Sequence, residues 1–210
     1  DQGLYEEALE TAKQALQLSQ KLKFRKGIYL ANINLGNIDS DNGRNDSALE
    51  HYNDALEITI QLKDKKSESS CYNNIGLVFY TTGQFDDAKV YFDKSLLLRI
   101  KTGDEFGAID SYNNLGNVST LLGNYTDAVA NYYEALKLSE KHASAIGVIN
   151  AYNNIGVVFL YQGKYRESLE YFIKSMEVSK TMSDQQMLGN TLNNIGDIYY
   201  ELEEYTNELS

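Results

Sequence analysis

The stretch Tyr72-Asn73-Asn74-Ile75-Gly76-Leu77-Val78-Phe79-Tyr80-Thr81-Thr82-Gly83-Gln84-Phe85-Asp86-Asp87-Ala88-Lys89-Val90-Tyr91-Phe92-Asp93-Lys94-Ser95 decides how this chain folds. Tyr72, Ile75, Gly76 and Phe79 fall at i, i+3, i+4 and i+7, the spacing that places side chains on one face of an α-helix. Phe85, Ala88, Phe92, Ser95 and Leu96 mark a second such face. Gly83 stands between them, where a helix-ending glycine belongs. The stretch therefore reads as a helix A, a tight turn and a helix B. A glycine inside helix A costs roughly 1 kcal/mol of helix propensity relative to alanine. Only a close approach of the two helices, with aromatic rings filling the remaining space, offsets that cost.

Moving outward, the pattern repeats. Gly36, Gly76, Gly116, Gly156 and Gly196 stand 40 residues apart without exception. Each follows an aliphatic residue (Leu35, Ile75, Leu115, Ile155, Ile195) and, before it, an asparagine (Asn34, Asn74, Asn114, Asn154, Asn194). A second asparagine precedes that one at Asn73, Asn113, Asn153 and Asn193, while the first copy has Ile33. Helix B repeats a small residue at Ala48, Ala88, Ala128 and Ser168 and an aromatic at Tyr52, Phe92, Tyr132 and Phe172. It repeats another small residue at Ala55, Ser95, Ala135 and Ser175. Asp64, Asp104, Ser144 and Asp184 recur ahead of helix A, where a side-chain oxygen caps free backbone N–H groups; Phe24, in the first copy, has no such oxygen. The expected organisation is a half repeat over 1–22, repeats over 24–63, 64–103, 104–143 and 144–183, and a partial repeat over 184–210. Both ends fall mid-repeat, which reads as a fragment of a longer array. About ten helices, stacked as antiparallel pairs in an all-α solenoid, are expected.

Composition agrees. The 210 residues contain no proline, which suits long helices joined by short turns. The net charge of −11, with basic residues scattered among more numerous acids, argues against nucleic acid as partner. No apolar run reaches the length of a membrane span. The single cysteine, Cys71, excludes an intrachain disulfide and reads as a small packed residue.

These residues resemble the tetratricopeptide repeat, with an aromatic, Leu-Gly and a second aromatic in helix A and a small–aromatic–small series in helix B. The 40-residue period, and Leu35-Gly36-Asn37 and Leu115-Gly116-Asn117, are similar to the subtype in the Leu-Gly-Asn spindle-orientation scaffold, kinesin light chains and bacterial sensor proteins. The resemblance implies a right-handed superhelix that binds an extended protein or peptide segment on its concave, helix-A face.

The helical wheel sets Ser70, Asn73, Asn74, Leu77 and Thr81 opposite the packing face, with Tyr80 at its edge. The expected binding residues are Asn34, Asn37, Asn73, Asn74, Asn113, Asn114, Asn117, Asn153, Asn154, Asn193, Asn194, Tyr80 and Asp197. An amide donates and accepts, so a ladder of amides suits a peptide main chain. The family's carboxylate-binding variant needs cations, and the matching places hold Ile33, Asn73 and Asn113, or Ser70, Asp110 and Asn150. Asp110, Asp197 and Glu201 point to a neutral or basic ligand instead.

Other motifs dissolve on inspection. Asp39-Ser40-Asp41-Asn42-Gly43 has its glycine one place early for a calcium loop, and Gly156 to Gly163-Lys164 lacks the strand and the Ser/Thr of a phosphate loop. His51 and His142 read as separate, solvated helix residues, so no metal, cofactor or catalytic set is expected. The function expected is a peptide- or protein-binding scaffold, not an enzyme. The alternative is a sensory or regulatory module of a larger kinase, cyclase or transcription regulator. Self-association through uncapped repeat ends is a further expected contact. The compartment expected is the cytoplasm, or the periplasm for a bacterial sensor.

Overall fold

The computed structural model describes residues 2–182 and 185–208, with side chains described over 5–182 and 188–200. Among these residues there are ten helices and no strand. They are α1 (Gln2–Lys21), α2 (Arg25–Asp41), α3 (Asn45–Leu62), α4 (Lys65–Thr81), α5 (Phe85–Thr102), α6 (Glu105–Leu121), α7 (Tyr125–Lys141), α8 (Ala145–Tyr161), α9 (Tyr165–Met182) and α10 (Gln185–Glu208). None of them is long and apolar enough to cross a membrane. The all-α class of packed helix pairs predicted from the repeat is what the chain adopts.

The chain forms two compact units, Asp1–Asp104 and Glu105–Ser210. In the first, each of α1 to α5 packs on its neighbour in sequence, with α2 against α3 and α4 against α5 as the closest pairs. In the second, α6 pairs with α7 and α8 with α9, α10 packs on α9, and α6 also touches α8.

Local chemistry sets the breaks. Asp64 caps α4 by accepting from the Ser67 backbone N–H at 3.1 Å, and Ser144 caps α8 by accepting from Gly147 N–H at 3.2 Å. Phe24 makes no side-chain cap, as its chemistry requires. The predicted cap Asp184 lies outside the described residues. At the A–B turns the chain enters the left-handed region, with φ +77° at Gly83 and +74° at Gly123, where a Cβ is penalised.

The packing explains the glycines within helices A. A Cβ built on Gly76 would lie 2.7 Å from the Phe92 ring, and one on Gly116 would lie 2.5 Å from the Tyr132 ring. A Cβ on Gly36 would lie 2.5 Å from the Tyr52 ring, and one on Gly156 would meet the Phe172 ring less tightly, at 3.1 Å. Phe92 and Phe172 are fully buried. Burying a phenylalanine contributes about 1.5–3 kcal/mol, more than the roughly 1 kcal/mol of helix propensity that the glycine forgoes. Gly196, in α10, has nothing within 4 Å of its hypothetical Cβ. The small residues of helix B close the seam: the Ser95 hydroxyl donates to the Ser69 carbonyl at 2.9 Å, and the Ser168 hydroxyl donates to the Gly156 carbonyl at 2.7 Å.

Candidate functional site

The fold turns a row of asparagines into two groups with different fates. Asn34, Asn74, Asn114, Asn154 and Asn194 lie one residue ahead of the Leu/Ile–Gly pair, which is buried in the first four copies, so they project off the packing face of helix A. Asn34 and Asn193 are exposed, while Asn73, Asn74, Asn113, Asn114, Asn153, Asn154 and Asn194 are half-buried. The amides of Asn34, Asn74, Asn154 and Asn194 form no hydrogen bond with any other described residue. Asn73 and Asn114 are engaged within the chain. The side-chain oxygens of Asn113 and Asn153 are buried and meet no donor. A buried, unmatched amide oxygen costs about 1–3 kcal/mol.

Asn37 and Asn117 are placed differently. The Tyr52 hydroxyl donates to Asn37 Oδ1 at 2.8 Å, and the Tyr132 hydroxyl donates to Asn117 Oδ1 at 2.6 Å. Each bond crosses from helix B to helix A of one hairpin. Where the helix-B aromatic is phenylalanine (Phe92, Phe172), the helix-A residue is apolar (Leu77, Val157). The asparagine of the Leu-Gly-Asn triplet is thus matched to a tyrosine hydroxyl. Burial pushes the Tyr52 phenol up to about 12, with Asp41 adding to the shift and a hydrogen bond from Ser40 opposing it.

This alternation extends further. In α4–α5, Phe79 stacks on Tyr91 at 5.3 Å and 18°, with the Lys94 ammonium 4.6 Å from the Tyr91 ring centre. In α8–α9, Phe159 stacks on Tyr171 at 5.4 Å and 18°, with Lys174 at 4.5 Å. In α2–α3 the corresponding residues are Asp39 and His51, and the site is polar. Asp39 is buried and accepts from Arg44 Nη2 at 2.6 Å and Nε at 3.0 Å. His51 Nδ1 lies 3.0 Å from Asn32 Oδ1, and its Nε2 lies 3.7 Å from Asp39.

Both histidines therefore depart from the reading as solvated residues. His51 belongs to this polar cluster. His142 Nε2 lies 2.8 Å from Glu105, and its ring sits 4.4 Å from that of Phe106. Each is held by residues of the neighbouring helix, Asn32 and Asp39 of α2 for His51 and Glu105 of α6 for His142, contacts that spacing along one helix does not show. Asp39 sits in the would-be calcium loop yet is bound by Arg44. Cys71 is fully buried, and desolvation pushes its thiol up to about 12. Among the described residues no three potential metal ligands converge.

Tyr80 is half-buried, its ring edge-on to Phe85 at 5.9 Å. Asp197 is exposed and makes no ion pair among the described residues. It lines a cavity of ≈ 380 Å³ with Leu160, Tyr165 and Tyr200. Sequence reading singled out Asp197 but missed Leu160 and Tyr165. A signal was present, since Leu160 is in register with Tyr80 and Tyr165 with Phe85. A second cavity, ≈ 530 Å³ and largely apolar, lies between α1 and α2, where Ala8, Ala12 and Ala15 face Asn34 and Asn37.

Comparison with solved structures returns helical repeat proteins. BtubC (BKLC) from P. vanneervenii matches with TM-score 0.84 and 18% identity, over 96% of this chain and 85% of that one. A Rap protein complexed with Competence and Sporulation Factor matches with TM-score 0.65 and 17% identity, over 93% and 59%. A Signal Transduction ATPase with Numerous Domains carrying a tetratricopeptide repeat sensor, from Pyrococcus horikoshii, matches with TM-score 0.79 and 13% identity, over 94% and 32%. Comparison with curated protein sequences gives no match. The tetratricopeptide repeat family model matches residues 27–101, 70–141, 107–181 and 147–207. Together with the repeated hairpins and their glycine–aromatic seams, that coverage makes this chain a member of the tetratricopeptide repeat family, whose fold is a protein-interaction scaffold.

Proposed function

We propose that the helix-A face of each unit binds a segment of another protein or peptide in extended form, through the asparagine amides. One observation carries this reading: Asn34, Asn74, Asn154 and Asn194 occupy the same register and form no hydrogen bond with other described residues. Asparagine is a poor helix former, so its recurrence there has a cost that binding offsets. Each amide presents a donor and an acceptor, which matches the alternating N–H and C=O groups of an extended main chain. Asn73, Asn113, Asn114, Asn153, Asn193 and Tyr80 flank that row. Asn37 and Asn117 contribute their Nδ2 groups and the one remaining lone pair of Oδ1, because a tyrosine hydroxyl donates to the other. The net charge of −11 favours neutral or basic partners over acidic ones.

The test uses peptides enriched on the chain from a displayed random library. The variant Asn154→Ala/Asn194→Ala, with both positions in the second unit, loses about two main-chain hydrogen bonds at roughly 1 kcal/mol each, so affinity falls on the order of thirtyfold for peptides held by that unit, whatever their sequence. The melting temperature stays within about 2 °C of the parent's. Unchanged affinity, or a collapse in melting temperature, overturns the reading.

A signalling context is a second reading, favoured by the fold likeness to a Rap protein and to a signal-transduction ATPase with a repeat sensor. It predicts an effector domain elsewhere in the full-length protein. A complete gene encoding repeats alone removes it.

A further inference from the structure

We infer that the cavity between α8, α9 and α10 is a side-chain pocket for an arginine or lysine of the bound peptide. The inference rests on the peptide-binding reading and adds a specificity that the amides do not supply, since they address main chain only.

The pocket combines three kinds of surface. Leu160, near the end of α8, offers apolar contact for the methylene stem of a long side chain. Asp197, on α10, offers a carboxylate for its charged head. Tyr165, at the start of α9, and Tyr200, one turn beyond Asp197, flank it with aromatic rings, which attract a cation through their electron-rich faces. Asp197 makes no ion pair with any described residue, so no cation of the described chain neutralises it. A carboxylate beside apolar and aromatic walls favours a guanidinium, which is planar, weakly hydrated and able to bond in pairs. The volume of ≈ 380 Å³ accommodates one such side chain.

The register shows that this pocket is particular. The equivalent place between α6, α7 and α8 holds Thr120, Tyr125, Val157 and Leu160, and that between α2, α3 and α4 holds Ser40, Asn45, Leu77 and Tyr80. Both are neutral. Of the three, the one at α10 alone sets a carboxylate among aromatic rings, so a basic residue is selected at one point of the peptide.

The experiment is a selection of displayed random decapeptides on the parent chain, on Asp197→Asn and on Asp197→Lys. The parent enriches peptides with arginine or lysine at one fixed position. Those peptides bind Asp197→Asn about tenfold more weakly, and Asp197→Lys shifts the preference at that position to aspartate or glutamate. Tyr200→Leu lowers affinity for the same peptides and leaves affinity for their norleucine-substituted versions unchanged. Enrichment of binders without a basic position, still weakened by Asn154→Ala/Asn194→Ala, overturns the pocket and leaves peptide binding standing. Failure to enrich any binder overturns both.

Discussion

The Tyr52 hydroxyl donates a 2.8 Å hydrogen bond to Asn37 Oδ1, and this bond ties helix B to helix A over the glycine at Gly36. Tyr132 and Asn117 repeat it in the second unit at 2.6 Å. The pairing of tyrosine with asparagine, and of phenylalanine with leucine or valine, makes alternate hairpins chemically distinct at one shared position. Tyr52→Phe is expected to cost about 1 kcal/mol, the usual net value of a neutral hydrogen bond. Asn37→Leu costs a similar amount by leaving the hydroxyl without its acceptor. The double variant Tyr52→Phe/Asn37→Leu copies Phe92 and Leu77 and recovers most of the loss. A double-mutant cycle from urea unfolding checks this, and strictly additive losses would refute the coupling.

Glycine substitutions in helix A separate packing from propensity. Gly76→Ala forces a methyl to within 2.7 Å of the buried Phe92 ring, and overpacking of that kind costs about 1–3 kcal/mol. Gly196→Ala meets nothing within 4 Å and gains up to roughly 1 kcal/mol of helix propensity. Opposite shifts in denaturation midpoint are expected. Shifts of the same sign would show that the aromatic seam does not fix the glycines.

The Asp64 cap gives stability a dependence on pH. Its carboxyl lies below the ordinary value, first through the Ser67 backbone N–H and next through the Ser67 hydroxyl. A carboxyl depressed in the folded state contributes stability that is present above its unfolded value of 3.8 and disappears as pH falls through the folded value. Asp64→Ala is expected to cost about 1 kcal/mol at pH 7. The difference from the parent shrinks below pH 3.8, which parallel unfolding curves at pH 7 and pH 3 measure. An equal difference at both pH values contradicts the assignment.

Replacing the polar cluster of the first unit tests whether it specifies the hairpin or merely fills it. Arg44→Ala leaves the buried Asp39 carboxylate without its strongest donor and is expected to cost about 1–3 kcal/mol. Asp39→Phe/His51→Tyr reproduces the Phe79–Tyr91 stack and is expected to be neutral or stabilising, since buried ionic groups exchanged for packed rings often behave so. A large loss from the double exchange would assign the cluster a role that packing cannot replace.

Cys71 reports on opening of the chain. Its thiol is fully buried and pushed up to about 12 by desolvation, so little thiolate is present at pH 8. Alkylation by iodoacetamide at that pH is expected to follow the population of unfolded chains, with native protein labelled orders of magnitude more slowly than denatured protein. Rapid labelling of the native chain would show local opening of α4.

The sequence by itself determined the hairpins, their 40-residue register, the seam of glycine against aromatic ring and the caps at Asp64 and Ser144. All of these rest on spacing along one helix or one turn, and helical geometry converts spacing into facing surfaces without knowledge of the neighbours. The tertiary structure alone decided which polar groups were consumed within the fold. Asn34 and Asn37 stand one turn apart on α2 and look alike in sequence, yet a tyrosine from α3 takes the oxygen of Asn37 and no described residue takes that of Asn34. Likewise Asp197 is an ordinary helix acid until α8 and α9 bring Leu160 and Tyr165 beside it. The fate of a hydrogen-bonding group depends on partners from other helices, and these partners meet only when the chain packs.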